Sequence, residues 1–361
     1  MKKIVTVIGA RPQFIKAAAV SRVIRKTEGI REIIIHTGQH FDNNMSDIFF
    51  QEMDIPVPDH HLEINSLSHG AMTGRMIEKI EEVLLTEKPD LVMVYGDTNS
   101  TLAGALAAKK LDIRVAHVEA GLRSFNMKMP EEINRILTDR ISDLLFCPTE
   151  NALFNLRQEG FEKFPCLTFL TGDVMYDAAL FYGKISAARS AILNSLGLTN
   201  GKFILCTVHR QENTDNIENL NSIVTALNEI NRETPVILPL HPRTRKILFQ
   251  NKIRLDFDPV DPLGYFDIVE LLKHCGLVIT DSGGMQKEAF FFGKYCITLR
   301  KETEWIELVT NHLNLLTGPD PALIKQGYGQ FMGKSIPESL PLYGQGNASE
   351  KIIQFITNSN L

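Results

Sequence analysis

Two Rossmann-like, doubly wound α/β units are what this sequence predicts, and three observations carry the prediction. The chain has 361 residues, more than one hydrophobic core usually serves. Short, continuously apolar runs alternate with longer helical patterns, the rhythm of β-α-β units whose strands are buried on both faces. Polar residues gather just after the apolar runs, where open parallel sheets bind ligands.

The first series of strands is expected at residues 3–9, 32–37, 90–95, 113–118 and 143–147, each bounded by Gly, Pro, Asp or Thr. Helical patterns from Phe14 to Arg25, Met72 to Leu85 and Thr101 to Lys110 connect them. A second series is expected at 202–208, 235–240, 253–257, 276–280 and 294–299. Gly172-Asp173-Val174-Met175-Tyr176-Asp177 closes the first series, and the domain junction is placed there. The expected domains are 1–172, joined by a terminal helix within 348–361, and 173–347, with a ligand cleft between the carboxyl ends of their strands. Ile352, Ile353, Phe355 and Ile356 give the terminal helix an apolar side, and Ser349 is its candidate cap.

Composition removes several function classes. Hydrophobic residues make up 44% and charged residues 22%, which excludes a disordered or collagen-like chain. The net charge of -5, from 38 basic and 43 acidic residues, argues against a general nucleic-acid scaffold or a basic membrane-surface protein. No apolar run approaches the ~20 residues of a membrane helix, and the N-terminus reads as a first strand, not a signal peptide. Cys147, Cys166, Cys206, Cys275 and Cys296 lie far apart, without a CxxC, so a reducing cytoplasm is expected and a disulfide framework is not.

The chemistry is sought at the strand ends. Gly9-Ala10-Arg11-Pro12-Gln13-Phe14-Ile15-Lys16 is not a dinucleotide fingerprint. It places Arg11 and Lys16 beside a helix N-terminus, an arrangement that favours a phosphate. Gly96-Asp97-Thr98-Asn99-Ser100 offers Asp97, either a helix cap or a functional carboxylate. His117-Val118-Glu119-Ala120-Gly121-Leu122-Arg123 offers Glu119 at a strand end, and Pro130-Glu131-Glu132-Ile133-Asn134-Arg135 offers Glu131 in a first helical turn. Carboxylates converging on one sheet edge raise one another's pKa, which is how an acid and a base are made.

In the second half, His209-Arg210-Gln211-Glu212-Asn213 and Asp281-Ser282-Gly283-Gly284 follow strands. Ser282, Gly283 and Gly284 at a helix start make a nest of N–H groups suited to a diphosphate, and Glu288 in that helix is placed to accept hydrogen bonds from a ribose. The histidines, His60-His61 included, lack metal spacing, and Phe290-Phe291-Phe292 reads as core. Neither a Walker loop nor a serine-nucleophile elbow occurs.

These six motifs stand in the order found in one family: the chain resembles the non-hydrolysing UDP-N-acetylglucosamine 2-epimerases over nearly its whole length. The resemblance implies a GT-B-type fold, a homodimer, a UDP-sugar substrate, no metal or NAD, and a part in making precursors of bacterial cell-surface polysaccharide. It implies inversion at C2 by elimination of UDP to a 2-acetamidoglucal and re-addition. Asp97, Glu119 and Glu131 would be the catalytic carboxylates, His209 would stabilise the departing diphosphate, and Arg11, Lys16, Arg210, Ser282, Gly283, Gly284 and Glu288 would hold UDP.

Leu299-Arg300-Lys301-Glu302-Thr303-Glu304-Trp305 and Ser124-Phe125-Asn126-Met127 look more like the branch that acts on UDP-2,3-diacetamido-2,3-dideoxyglucuronate. The substrate implied is thus either UDP-GlcNAc, inverted to UDP-ManNAc, or that analogue, with equal standing. Gln39-His40-Phe41-Asp42-Asn43-Asn44-Met45 keeps the Gln-His of relatives activated by their own substrate but is otherwise differently built. A GT-B glycosyltransferase with a UDP-sugar donor, a hydrolysing epimerase and a non-catalytic nucleotide-sugar sensor are the alternatives.

Overall fold

The computed structural model describes residues 1–39, 57–337 and 340–358. The chain forms two compact units, Met1–Ala178 with Pro341–Leu361, and Ala179–Leu340.

In chain order, the first unit runs β1 (Lys2–Ile8), α1 (Arg11–Ile24), β2 (Ile30–His36), β3 (His60–His61), α2 (His69–Glu87), β4 (Leu91–Tyr95), α3 (Asn99–Lys110) and β5 (Arg114–Val118). It continues with α4 (Pro130–Ile141), β6 (Leu144–Cys147), α5 (Glu150–Gln158), β7 (Leu167–Leu170) and α6 (Val174–Arg189), the last crossing into the second unit. The seven strands form one sheet in the order β3-β2-β1-β4-β5-β6-β7, and every pairing is parallel.

All five strands expected in this half are present. Two more were not expected: β3 is only two histidines, and β7 is an edge strand whose leucines are largely exposed. Neither has the buried apolar run by which the others were found. Val5, Val7, Val92 and Val94 pack one sheet face against Met76, Ile80 and Leu84 of α2 and the alanines of α3. Gly104 in α3 lets that helix lie close, because a Cβ there would stand 3.1 Å from Val7 and Val94.

The last helix of the described chain, Ala348–Asn358, packs in this first unit through Ile352, Ile353 and Ile356, and Phe355 stacks on Phe169. Ser349 does not precede this helix as a cap but lies in its first turn. The capping acceptor is the Asp177 carboxylate, which takes the Ala348 and Ser349 N–H groups at 3.1 and 2.6 Å.

The second unit carries α7 (Ile192–Ser195), β8 (Ile204–Thr207), α8 (Gln211–Thr214), α9 (Ile217–Asn231), β9 (Val236–Ile237), α10 (Pro242–Gln250) and α11 (Tyr265–His274). β10 (Leu277–Thr280), α12 (Gly283–Phe291), β11 (Cys296–Thr298), α13 (Ile306–Thr310), β12 (Asn314–Leu316) and α14 (Pro321–Phe331) complete it. Its five-stranded parallel sheet has the order β12-β11-β10-β8-β9.

One expected strand is absent: residues 253–257 pair with no strand. Ile253, Leu255 and Phe257 alternate because they lie against the core one by one, without a backbone ladder. Only a bridge from Pro239 to Val260 remains of that pairing. Conversely, β12, with only Asn314, Leu315 and Leu316, was not expected.

Among the described residues, no helix is long and apolar enough to cross a membrane, and all five cysteines are free.

Candidate active-site residues

In the first unit the loops after β1, β4 and β5 lie side by side, because these strands pair directly. The loop after β1 is tied down by Gln13, whose side-chain oxygen accepts from the N–H groups of Gly9 and Ala10 at 2.8 and 3.1 Å. Its amide donates to the Tyr95 carbonyl at 2.8 Å. Gln13 is fully buried and joins the ends of β1 and β4, a role the sequence did not reveal.

One turn on, Lys16 reaches Glu119 and the two form an ion pair with both side chains about nine-tenths buried. Glu119 is one of few non-glycine residues with a positive φ, at 74°. Such backbones cost on the order of 1–3 kcal/mol and cluster at functional sites. The conformation is fixed by the N–H groups of Glu119 and Ala120, which both donate to the Phe146 carbonyl at 3.1 Å. Gly96, also at positive φ, faces this pair: a Cβ there would come within 3.1 Å of the Lys16 Nζ and 3.2 Å of a Glu119 oxygen.

Asp97 follows Gly96. It is not the cap of α3, since Thr98 accepts from the Thr101 N–H in that role. The Asp97 carboxylate instead receives the Arg135 guanidinium at 2.5 Å, and its carbonyl accepts from the Asn134 amide at 2.9 Å. Both partners come from α4, whose hydropathy is inverted: Glu132, Asn134, Arg135 and Asp139 are buried while Ile133 and Leu137 are more than two-fifths exposed.

Glu132 accepts from the Ser124 and Phe125 N–H groups and from Arg135. Burial pushes its carboxyl up, but these donors outweigh that and hold it below the usual carboxylate range. Glu131, beside it, is exposed in the first turn. Asp97 and Glu119 are thus brought to neighbouring strand ends, whereas Glu131 faces outward. The Arg11 side chain and residues 40–45 lie outside the described part of the structure.

In the second unit Asp281, fully buried at the end of β10, organises the loop after β8. Its carboxylate accepts from the His209 and Arg210 N–H groups at 3.0 Å and from the Asn213 amide at 3.2 Å. The His209 ring stays half exposed, with Nδ1 3.3 Å from Asp281. Next to it Ser282 caps α12. The Gly283 and Gly284 N–H groups have no acceptor among the described residues, as an anion nest requires.

The two glycines differ. A Cβ on Gly283 would meet a Glu304 oxygen at 2.6 Å, while Gly284 faces open space. Arg300 donates to Glu304 at 3.0 Å, the Trp305 indole donates to the Gly283 carbonyl at 2.9 Å, and Lys287 lies 4.0 Å over the Trp305 ring. The segment 299–305 therefore walls the helix start. Glu288 is buried on the same helix. Asp281 went unassigned in the sequence, although its place at a strand end just before the nest was a readable signal.

Comparison with known proteins places the chain among nucleotide-sugar enzymes. A sequence profile described as UDP-N-acetylglucosamine 2-epimerase matches residues 22–357. The chain is 54% identical over 355 residues to a UDP-2,3-diacetamido-2,3-dideoxy-D-glucuronate 2-epimerase from Pseudomonas aeruginosa, covering 98% of this chain and 99% of that one. It is 42% identical to a UDP-N-acetylglucosamine 2-epimerase from Methanocaldococcus jannaschii, with 98% and 99% covered.

A crystal structure of the Methanocaldococcus jannaschii UDP-GlcNAc 2-epimerase in complex with UDP-GlcNAc and UDP superimposes with a TM-score of 0.90 at 41% identity, covering 99% of this chain and all of that one. The Neisseria meningitidis enzyme bound to UDP-GlcNAc gives 0.87 at 31%, with 99% and 100% covered. The chain belongs to the UDP-N-acetylglucosamine 2-epimerase family, whose members are isomerases with two Rossmann-like units of GT-B type.

Proposed function

We propose that this protein inverts C2 of a UDP-linked N-acetylhexosamine, and that its substrate is the 2,3-diacetamido-2,3-dideoxyglucuronate derivative in preference to UDP-GlcNAc. The observation that carries the reaction is the cluster at the ends of β4 and β5, where the Lys16–Glu119 pair lies against Gly96 and next to Asp97. The substrate preference rests on the higher identity to the Pseudomonas aeruginosa relative, 54% against 42%.

The C2 proton of such a sugar has no adjacent carbonyl to acidify it, so simple abstraction and return is too slow. A carboxylate takes the proton as the C1–O bond breaks. The C2–H electrons become the C1=C2 double bond and UDP departs with the C1–O electrons. Re-addition delivers a proton to the opposite face of C2 while UDP returns to C1, so the step needs proton-transfer groups for both faces.

Asp97 and Glu119 are assigned to these transfers, with Glu131, exposed in the first turn of α4, as the third carboxylate. His209 with Arg210, Ser282, Gly283 and Gly284 receives the diphosphate, Glu288 the ribose, and Arg11 and Lys16 add positive charge toward UDP. Exclusion of water would sharpen these interactions and retain the glycal. On the family's footing the enzyme acts as a homodimer in the cytoplasm on a precursor of cell-surface polysaccharide.

The test is a panel of UDP-sugars with and without a 3-acetamido group and a C6 carboxylate, incubated in heavy water and followed by NMR. Deuterium at C2 of the inverted product, fastest for the diacetamido-uronate, is the expected result. Inversion with full retention of the original hydrogen would sink the mechanism, and equal or greater turnover of UDP-GlcNAc would sink the substrate assignment.

A further inference from the structure

His117 is the last residue but one of β5, is wholly buried, and has a polar atom at each end of its ring. Its Nε2 is 2.7 Å from the Gly96 carbonyl and its Nδ1 is 2.7 Å from Asp139 Oδ1. A carbonyl oxygen only accepts, so Nε2 donates to Gly96. The other Asp139 oxygen accepts from the Arg123 guanidinium at 2.7 Å and the Gly121 N–H at 3.1 Å. Burial pushes the Asp139 carboxyl up, yet His117 and Arg123 outweigh it and keep it below the usual range, so this carboxylate accepts from Nδ1.

Gly96 is held from both sides by β5, since its N–H donates to the Val118 carbonyl at 3.0 Å. At φ 63° this residue has no side chain to fix its peptide, and the next residue is Asp97. The Asp139 carboxylate also ties down Gly121 and Arg123, two and four residues past Glu119. One buried cluster therefore sets the backbone on which both carboxylates of the proposed reaction stand.

We propose that His117 is a positioning residue for the epimerisation: its bond to the Gly96 carbonyl sets Asp97 relative to Glu119, and Asp139 holds the ring in place for that bond. The inference rests on the reading of Asp97 and Glu119 given above. A purely structural histidine would be replaceable at a cost in stability alone. A positioning histidine makes turnover follow the Gly96 bond, because a displacement of about 1 Å is able to cost on the order of 100-fold in rate.

Three variants separate these roles. His117→Phe fills the space and loses both bonds. His117→Gln keeps one donor. Asp139→Asn loses the charge opposite Arg123 but leaves the His117 Nε2–H free to hold Gly96. Each is measured for kcat and KM, for UDP binding by calorimetry, and for Tm.

The expected order of kcat is Asp139→Asn, then His117→Gln, then His117→Phe, the last roughly 100-fold below wild type, with KM and UDP affinity within about twofold. Asp139→Asn is expected to lose the most Tm, so activity and stability rank differently. Should His117→Phe not fold, Asp139→Asn having a higher kcat and a lower Tm than His117→Gln supports the proposal, and the reverse order of kcat overturns it. Retention of kcat by His117→Phe, or kcat falling in step with Tm across the set, also overturns it. A wild-type protein with no epimerase turnover would instead refute the proposed function.

Discussion

Lys16 and Glu119 are 103 residues apart in sequence and form a buried ion pair where α1 passes the end of β5. The Lys16 ammonium neutralises a carboxylate held on a strained backbone, and Gly96 is the wall that leaves room for both.

Removing one member of this pair leaves the other charge buried and alone, which costs about 3–5 kcal/mol in comparable cases. Lys16→Met and Glu119→Gln should each destabilise the first unit to that extent in urea unfolding. The double variant should recover part of the loss. Equal and additive losses would show that the two residues do not interact.

Asp97→Asn keeps the shape at the end of β4 and the bond to Arg135 through its remaining oxygen, but it cannot take a proton. Turnover should fall by about two orders of magnitude or more, the usual scale of lost acid–base catalysis. Deuterium incorporation at C2 should fall with it. UDP binding should persist, because the diphosphate is assigned to α12. Wild-type deuterium exchange in this variant would remove Asp97 from the mechanism.

Gly283 and Gly284 should respond with opposite signs. Gly283→Ala drives a methyl against Glu304 and its Arg300 partner, and overpacking of this kind costs about 1–3 kcal/mol. Gly284→Ala meets nothing within the protein and replaces a helical glycine, so stability should hold or rise by about 0.5 kcal/mol. Its methyl nevertheless occupies the space assigned to the diphosphate, and UDP affinity should drop at least tenfold by calorimetry. Unchanged UDP affinity in Gly284→Ala would place the diphosphate elsewhere.

Acid should unfold the first unit through Glu132 and Asp139. Both are held below their ordinary values of 4.5 and 3.8 in the folded state. Their contribution is therefore complete above the unfolded values and is lost as pH falls through the folded ones. Urea midpoints measured from pH 7 to pH 3 should fall steeply below about pH 4.5. Glu132→Gln should lower the midpoint at pH 7 and flatten the fall. An identical pH slope in the variant would show that Glu132 carries none of it.

Strand positions were readable because β1, β2, β4, β5 and β6 are buried over most of their length and so appear as short, mainly apolar runs. The positions of Asp97, Glu119 and Ser282–Gly284 just after strands were readable from the ends of those apolar runs, where open parallel sheets bind ligands. What escaped was the support beneath them. Hydropathy equates burial with apolarity, and on α4 that equation fails: the residues at 132, 135 and 139 share one face and turn inward, while Ile133 and Leu137 turn out. A polar stripe at helical spacing was present in the sequence, but a search for apolar periods passes over it. Gln13 and Asp281 escaped for a related reason, because single polar residues that bind backbone groups leave no period at all.

The Asp177 side chain grips the N–H of Ser349, which lies 172 positions further along. During synthesis, then, the leading unit has to wait for its closing helix until the entire trailing unit has been made. At roughly 5–20 residues per second that interval is about 10–30 seconds, during which the surface later covered by Ile352, Ile353 and Ile356 stands bare on the ribosome. A stop codon just before Ala348 would make that transient exposure permanent.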